Sequence, residues 1–174
     1  SGKYFEAAVA YEYVFYSQSD PDIRGKANLA KVQALKQLGE FDKAIRDLQR
    51  SFMLRTSVDY LDQVYYELAL CNYLAGDYTE SDAWFAQLVF FYPQLRGSGR
   101  TGLLGALLDT QSGNYKEVIH WIEKGIADSD LQNRERMMEI LTAYREISTR
   151  KIRLPDKEKA RLYSSILPGL GHIY

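Results

Sequence analysis

Four glycines stand 37 residues apart in this chain, at Gly2, Gly39, Gly76 and Gly113. The same residue types follow each of them at fixed distances. An aromatic comes two residues later: Tyr4, Phe41, Tyr78 and Tyr115. A small or β-branched residue comes five later (Ala7, Ala44, Ser81, Val118) and a large apolar one nine later (Tyr11, Leu48, Phe85, Ile122). At this chain's own composition three further glycines and four aromatics in register have a chance probability on the order of 10⁻⁷, which stays small over all the registers open to trial, so the period is a true internal repeat.

A helical hairpin accounts for every one of these positions. The glycine ends the first helix, where a left-handed backbone is cheap only for a residue without Cβ. The aromatic wedges into the corner between helices. The small residue lets the second helix approach closely, and the large residue one turn on fills the hairpin interior. The remaining segments agree. Proline is scarce, with 4 copies, which suits long helices. Asp20-Pro21 reads as a helix start, with Asp as cap and Pro in the first turn. Helices are predicted over 26–38, 42–53, a stretch capped by Ser57 and ending near Ala75, 79–92 closed by Pro93, 95–112, 115–127 and 131–150. A last one opens at Pro155 and runs to about Leu167.

These residues resemble the tetratricopeptide repeat family, whose motif sets a Gly, a Tyr two later, an Ala five later and a Phe nine later around its turn and second helix. Gly39-Glu40-Phe41-Asp42-Lys43-Ala44-Ile45 and Gly76-Asp77-Tyr78-Thr79-Glu80 look like typical versions. Tyr65, Leu68 and Ala69 match the first-helix positions, and Pro93 matches the family's proline. The period of 37 is longer than the family's. The resemblance implies an all-α fold, an α-α superhelix of antiparallel helix pairs. It covers residues 1–150 as a repeat domain, followed by a C-terminal helix and apolar tail over 151–174. The chain opens at a turn glycine, which leads us to expect a preceding helix belonging to the same repeat.

In such solenoids the first helix of each pair lines a concave face that holds a peptide or protein. By register, that face takes Lys26, Leu29, Gln33 and Lys36, then Gln63, Tyr66, Leu70 and Tyr73, then Arg100, Leu103 and Leu107, then Met137, Ile140 and Tyr144. The partner-binding candidates are Lys26, Gln33, Lys36, Gln63, Tyr66, Tyr73, Arg100 and Tyr144, although Leu70, Leu103 and Leu107 also fit as inter-repeat core. The family's basic and asparagine-rich clamp for a carboxylate tail is replaced by Leu29, Gln33, Gln63 and Glu67, so chaperone-tail binding is not expected.

Little in the sequence points to chemistry. His120 and His172 are the two histidines, with no spacing that would make a metal site. Cys71 is the single cysteine, so there is no internal disulfide, and it reads as a buried small hydrophobe. Gly97-Ser98-Gly99-Arg100-Thr101-Gly102 lacks the Lys and Ser/Thr ending of a phosphate loop and reads as a flexible turn before a glycine-loosened helix. The net charge of −1 opposes nucleic acid. We expect no enzyme, cofactor or metal.

The tail does not read as repeat. Pro168-Gly169-Leu170-Gly171-His172-Ile173-Tyr174 resembles the start of a short hairpin in bacterial membrane proteins, and a basic flank precedes it at Arg145, Arg150, Lys151, Arg153, Lys157, Lys159 and Arg161. A spanning segment after it would place that flank in the cytoplasm. The likeness to bacterial envelope repeat proteins, which carry signal sequences, points the other way. The reading is a protein-binding scaffold of a bacterial cell envelope, membrane-associated through its tail. The alternative is a soluble cytosolic adaptor.

Overall fold

The computed structural model describes residues 2–53, 60–97, 99–127 and 131–150. Among these the chain is all-helical, with no strand. The helices are α1 (Gly2–Ser17), α2 (Pro21–Gln37), α3 (Phe41–Met53), α4 (Leu61–Ala75), α5 (Tyr78–Phe91), α6 (Gly99–Ser112), α7 (Tyr115–Ala127) and α8 (Leu131–Arg150). A short 3-10 helix, Pro93–Gly97, precedes α6. The chain divides into two compact units, the first ending at Tyr92 and the second beginning at Pro93.

The turn glycines behave as their register predicts. Gly39, Gly76 and Gly113 have φ of +73°, +86° and +77°. Each turn closes with the same bond, from the amide after the glycine to the carbonyl four residues before it: Glu40 to Leu35 at 3.0 Å, Asp77 to Asn72 at 2.9 Å, Asn114 to Asp109 at 2.8 Å. This wide bond over a left-handed residue satisfies carbonyls that the helix end leaves orphaned. Gly2, the fourth member of the register, lies in the first turn of α1. At the opposite ends, Asp20 accepts from the Asp22 amide at 2.8 Å with Pro21 opening α2, and Asp77 accepts from the Glu80 amide at 3.1 Å.

Consecutive helices pack on one another within each unit: α1 through α5 in the first, α6 through α8 in the second. The register positions fill the hairpins in three of the four sets, while in the first set Ala7 is half-buried and Tyr11 is exposed. Ala44, Ser81 and Val118 are fully buried, and Leu48, Phe85 and Ile122 are buried one turn on. Ser81 Oγ also donates to the Ala69 carbonyl at 2.7 Å, tying α5 to α4. The first unit's core joins Ala8, Val32, Leu35, Ala44, Leu48, Val64, Leu68 and Cys71. In the second unit Leu104, Leu107, Val118, Ile122, Leu141 and Tyr144 are buried.

Two boundaries differ from the sequence reading. The helix expected from Leu95 is broken, because Pro93 starts a 3-10 turn and the α-helix begins only at Gly99. The helix expected from Lys26 begins at Pro21, at the cap the sequence itself marks. Ser57 and the 151–174 tail, with its Pro155 helix and membrane-hairpin resemblance, lie outside the described residues. Gly102 does not loosen its helix. It is buried where α6 crosses α7, and a Cβ there would lie 2.9 Å from the Trp121 carbonyl oxygen. The glycine is a close-approach residue.

Candidate interaction face

In the first unit, the first helices of two successive repeats are α2 and α4. Lys26, Gln33 and Lys36 are spaced seven and three residues apart, which sets them on one side of α2. Gln63, Tyr66 and Tyr73 are spaced three and seven, with the same effect on α4. The two helices meet side chain to side chain. Gln33 Nε2 donates to Glu67 Oε1 at 2.7 Å, and Lys36 Nζ reaches Glu67 Oε2 at 2.6 Å. Toward the start of α2, Lys26 Nζ lies over the Tyr60 ring at 5.6 Å and pairs with Asp22 at 2.8 Å. The Asp22 partnership, then Tyr60, pushes the Lys26 ammonium pKa up from its ordinary value.

Two of these contacts share one offset, while Lys36 and Glu67 are 31 residues apart. Lys26 meets Tyr60, and Gln33 meets Glu67, each 34 residues on. Arg50 Nη1 donates to Tyr16 Oη, again 34 residues away, between α3 and α1. Equivalent sequence positions are 37 apart. Stacked helices therefore run in the same direction, with touching side chains three to six residues out of step with the sequence period. Within the second unit the offset of 34 recurs between α6 and α8, where the Thr110 and Tyr144 hydroxyls lie 2.9 Å apart.

The eight candidate residues separate by burial. Lys26, Gln33 and Arg100 are exposed, and Gln63 and Tyr66 are half-buried. Lys36 is largely covered, its ammonium held on Glu67. Two are corrected to interior. Tyr73 is buried with its ring 5.3 Å from Tyr78 in the corner of the α4–α5 turn. Tyr144 is fully buried, and burial pushes its phenol up to about 12 although the Thr110 hydrogen bond pulls the other way. Leu107 and Ile140 are buried too, as core, while Leu29, Leu70 and Leu103 are half-buried. The side chain of Met137 lies outside the described residues.

Sequence reasoning missed the buried charges. Lys31 is buried on α2, held by Asp47 at 2.8 Å and Glu12 at 3.1 Å, so one lysine ties three helices together. Glu67 is buried as well. Nothing in the spacing of a lone Lys or Glu signals this, because it depends on partners 16 to 34 residues away.

The residues weighed for chemistry occupy ordinary positions. His120 is exposed, edge-on to Trp121 at 6.2 Å. Trp121 Nε1 donates to Asp109 at 2.8 Å. Cys71 is fully buried, and burial pushes its thiol up to about 12, with the nearby Glu67 charge adding to the shift. Among the described residues no group of three His, Cys, Asp or Glu is placed to hold a metal ion, and no helix is long and apolar enough to cross a membrane. Compared with known proteins, the chain matches no family model, no curated protein and no solved structure at a significant level.

Proposed function

We propose that this chain is a tetratricopeptide-like solenoid that works as a non-catalytic scaffold, holding a peptide or protein partner on the face formed by the first helix of each pair. The observation that carries the reading is the threefold turn. Gly39, Gly76 and Gly113 share one backbone conformation and one closing hydrogen bond, spaced by the sequence period. Stacked hairpins of this kind create extended surfaces, and such surfaces serve binding.

Lys26, Gln33, Gln63 and Tyr66 form the part of that face on the first unit, with Lys36 bridged behind them to Glu67. On the second unit, taken by itself, Arg100 holds the corresponding register position. A surface of amides, an aromatic and a lysine suits an extended or helical peptide. The bacterial envelope setting rests on the tail, through its basic flank and its Pro-Gly-Leu-Gly pattern, and on the likeness to envelope repeat proteins. Reading the gene beyond Tyr174 tests that part: an apolar hairpin supports the membrane tie, and a natural stop leaves the soluble adaptor.

The binding face is tested by affinity capture from the native host, comparing the parent chain with a Lys26→Ala, Gln63→Ala, Tyr66→Ala variant. The expected result is loss of a defined partner set in the variant at unchanged helicity. Equal recovery would place the partner elsewhere, and an absence of any selective partner would sink the scaffold reading.

A further inference from the structure

A groove of about 390 Å³ opens in the first unit, lined by α1, α2 and α3. This is within the range of ordinary ligand sites, roughly 300–1,000 Å³. Its apolar lining includes Phe5 and Val9, which are 63% and 50% exposed, together with Leu35 and Leu38. Large apolar side chains left this open on a helix face ask for a partner.

The opposite wall is α3, where Lys43, Arg46 and Arg50 follow one another at three and four residues and so share one stripe. The lining carries four cations against three anions. The anions are engaged within the fold. Asp47 and Glu12 both hold the buried Lys31, and Glu40 pairs with Lys43 at 3.1 Å. Arg50 donates to the neutral hydroxyl of Tyr16 and pairs with no carboxylate among the described residues. Arg46 and Arg50 are both exposed. The groove thus sets an apolar wall against a wall with surplus positive charge.

The repeat architecture does not require these residues. Thirty-seven residues on, Phe5 and Val9 are replaced by Asp42 and Arg46. The stripe of Lys43, Arg46 and Arg50 becomes Glu80, Ala83 and Gln87. The same fold is therefore built one repeat later with neither the apolar wall nor the three-cation stripe facing it, so both are particular to this groove.

We infer that this groove docks an acidic amphipathic peptide segment of a partner protein. Its apolar side chains lie against Phe5 and Val9, and its carboxylates meet Arg46 and Arg50. Docking of an amphipathic segment into an apolar groove, with rim charges fixing its sense, is a general mode of recognition. The surface is separate from the α2–α4 face and does not depend on it.

The test is selection from a displayed library of random peptides of about 16 residues, panned on the full chain. The expected peptides carry Asp or Glu beside regularly spaced apolar residues. Their affinity falls about tenfold or more on Arg46→Glu/Arg50→Glu and on Val9→Glu. Exchanging the peptide's acids for lysines restores binding to the doubly reversed variant. All three positions are exposed, so helicity is expected to hold. If a variant loses it, Arg46→Gln/Arg50→Gln reads the same dependence as a smaller loss of affinity. Recovery of non-acidic peptides, equal binding to the variants, or recovery of no peptide would each overturn the inference. Peptides that ignore these variants but are lost on Gln63→Ala/Tyr66→Ala would overturn it while supporting the α2–α4 face.

Discussion

Lys36 Nζ sits 2.6 Å from Glu67 Oε2, with only 12% and 7% of the two side chains exposed. The pair joins α2 to α4, and Gln33 completes it by occupying the other carboxylate oxygen. Truncating one member leaves a shielded charge without its partner, which costs about 3–5 kcal/mol in comparable sites. Glu67→Ala should therefore unfold at markedly lower urea than the parent. Replacing both, as Lys36→Met/Glu67→Leu, should recover most of the loss, because two apolar chains of similar volume need no partner. A double variant no better than Glu67→Ala would show that the pair is not the source of the effect.

The turn glycines and Gly102 should fail on substitution for different reasons. At Gly39, Gly76 and Gly113 a Cβ meets nothing within 4 Å, but the backbone is left-handed. Alanine there costs about 1–2 kcal/mol, and asparagine less. At Gly102 the backbone is helical and the obstacle is the Trp121 carbonyl at 2.9 Å. Alanine there must push α6 from α7, at about 1–3 kcal/mol. Gly2→Ala meets no neighbour and has no left-handed backbone, so its stability should not fall. Urea unfolding of the five alanine variants checks the pattern.

Tyr144 is held by packing more than by its hydroxyl. Thr110 Oγ1 also donates to the Ala106 carbonyl at 2.6 Å, so removing the phenol oxygen does not strip Thr110 of its bond. Tyr144→Phe should cost only about 0.5–1.5 kcal/mol. Tyr144→Ala empties a fully buried aromatic site and should cost about 3–5 kcal/mol. Comparable losses for the two would overturn this division.

Alkaline pH should weaken the fold. The Cys71 thiol is raised from 9.0 to about 12 and the Tyr144 phenol from 10.0 to about 12, both first by burial. The unfolded chain gives up these protons at lower pH than the folded one. The stabilisation is full below the unfolded values and is lost as pH climbs through the folded ones. Stability should fall from about pH 9, with a gentler slope in Cys71→Ala. At about pH 8 native Cys71 should resist alkylation and react only on unfolding. Rapid native labelling would contradict its burial.

The fold was readable where a residue type has one use. A glycine at a helix end, an aromatic two residues on and a small residue at five mark a hairpin wherever they occur, and the observed turns lie on them. The start of α7 at Tyr115, two residues after Gly113, was legible for the same reason. Features that depend on a distant neighbour were not. Tyr73 and Tyr144 look like groove residues by register, yet each is turned into a corner by an aromatic or hydroxyl partner. Lys31 and Glu67 look like solvated surface, yet each has opposite charge waiting on another helix. Gly102 looks like a weak point until Trp121 is placed beside it. On the candidate face, spacing alone set the residues to one side of α2 and α4, while their accessibility depended on packing.

The 31- and 34-residue offsets between touching side chains, set against a 37-residue spacing of like positions, mean that neighbouring repeats are not interchangeable parts. Glu67 answers Gln33 and Lys36. One repeat later, the positions of Gln33 and Lys36 are Leu70 and Tyr73, which offer a carboxylate no cation. If the segment from 40 to 76 were duplicated in tandem, the hairpin geometry would be copied faithfully. The second Glu67, however, would meet those two uncharged residues and be stranded. Side-chain identity thus writes an order into a backbone that by itself would accept any order.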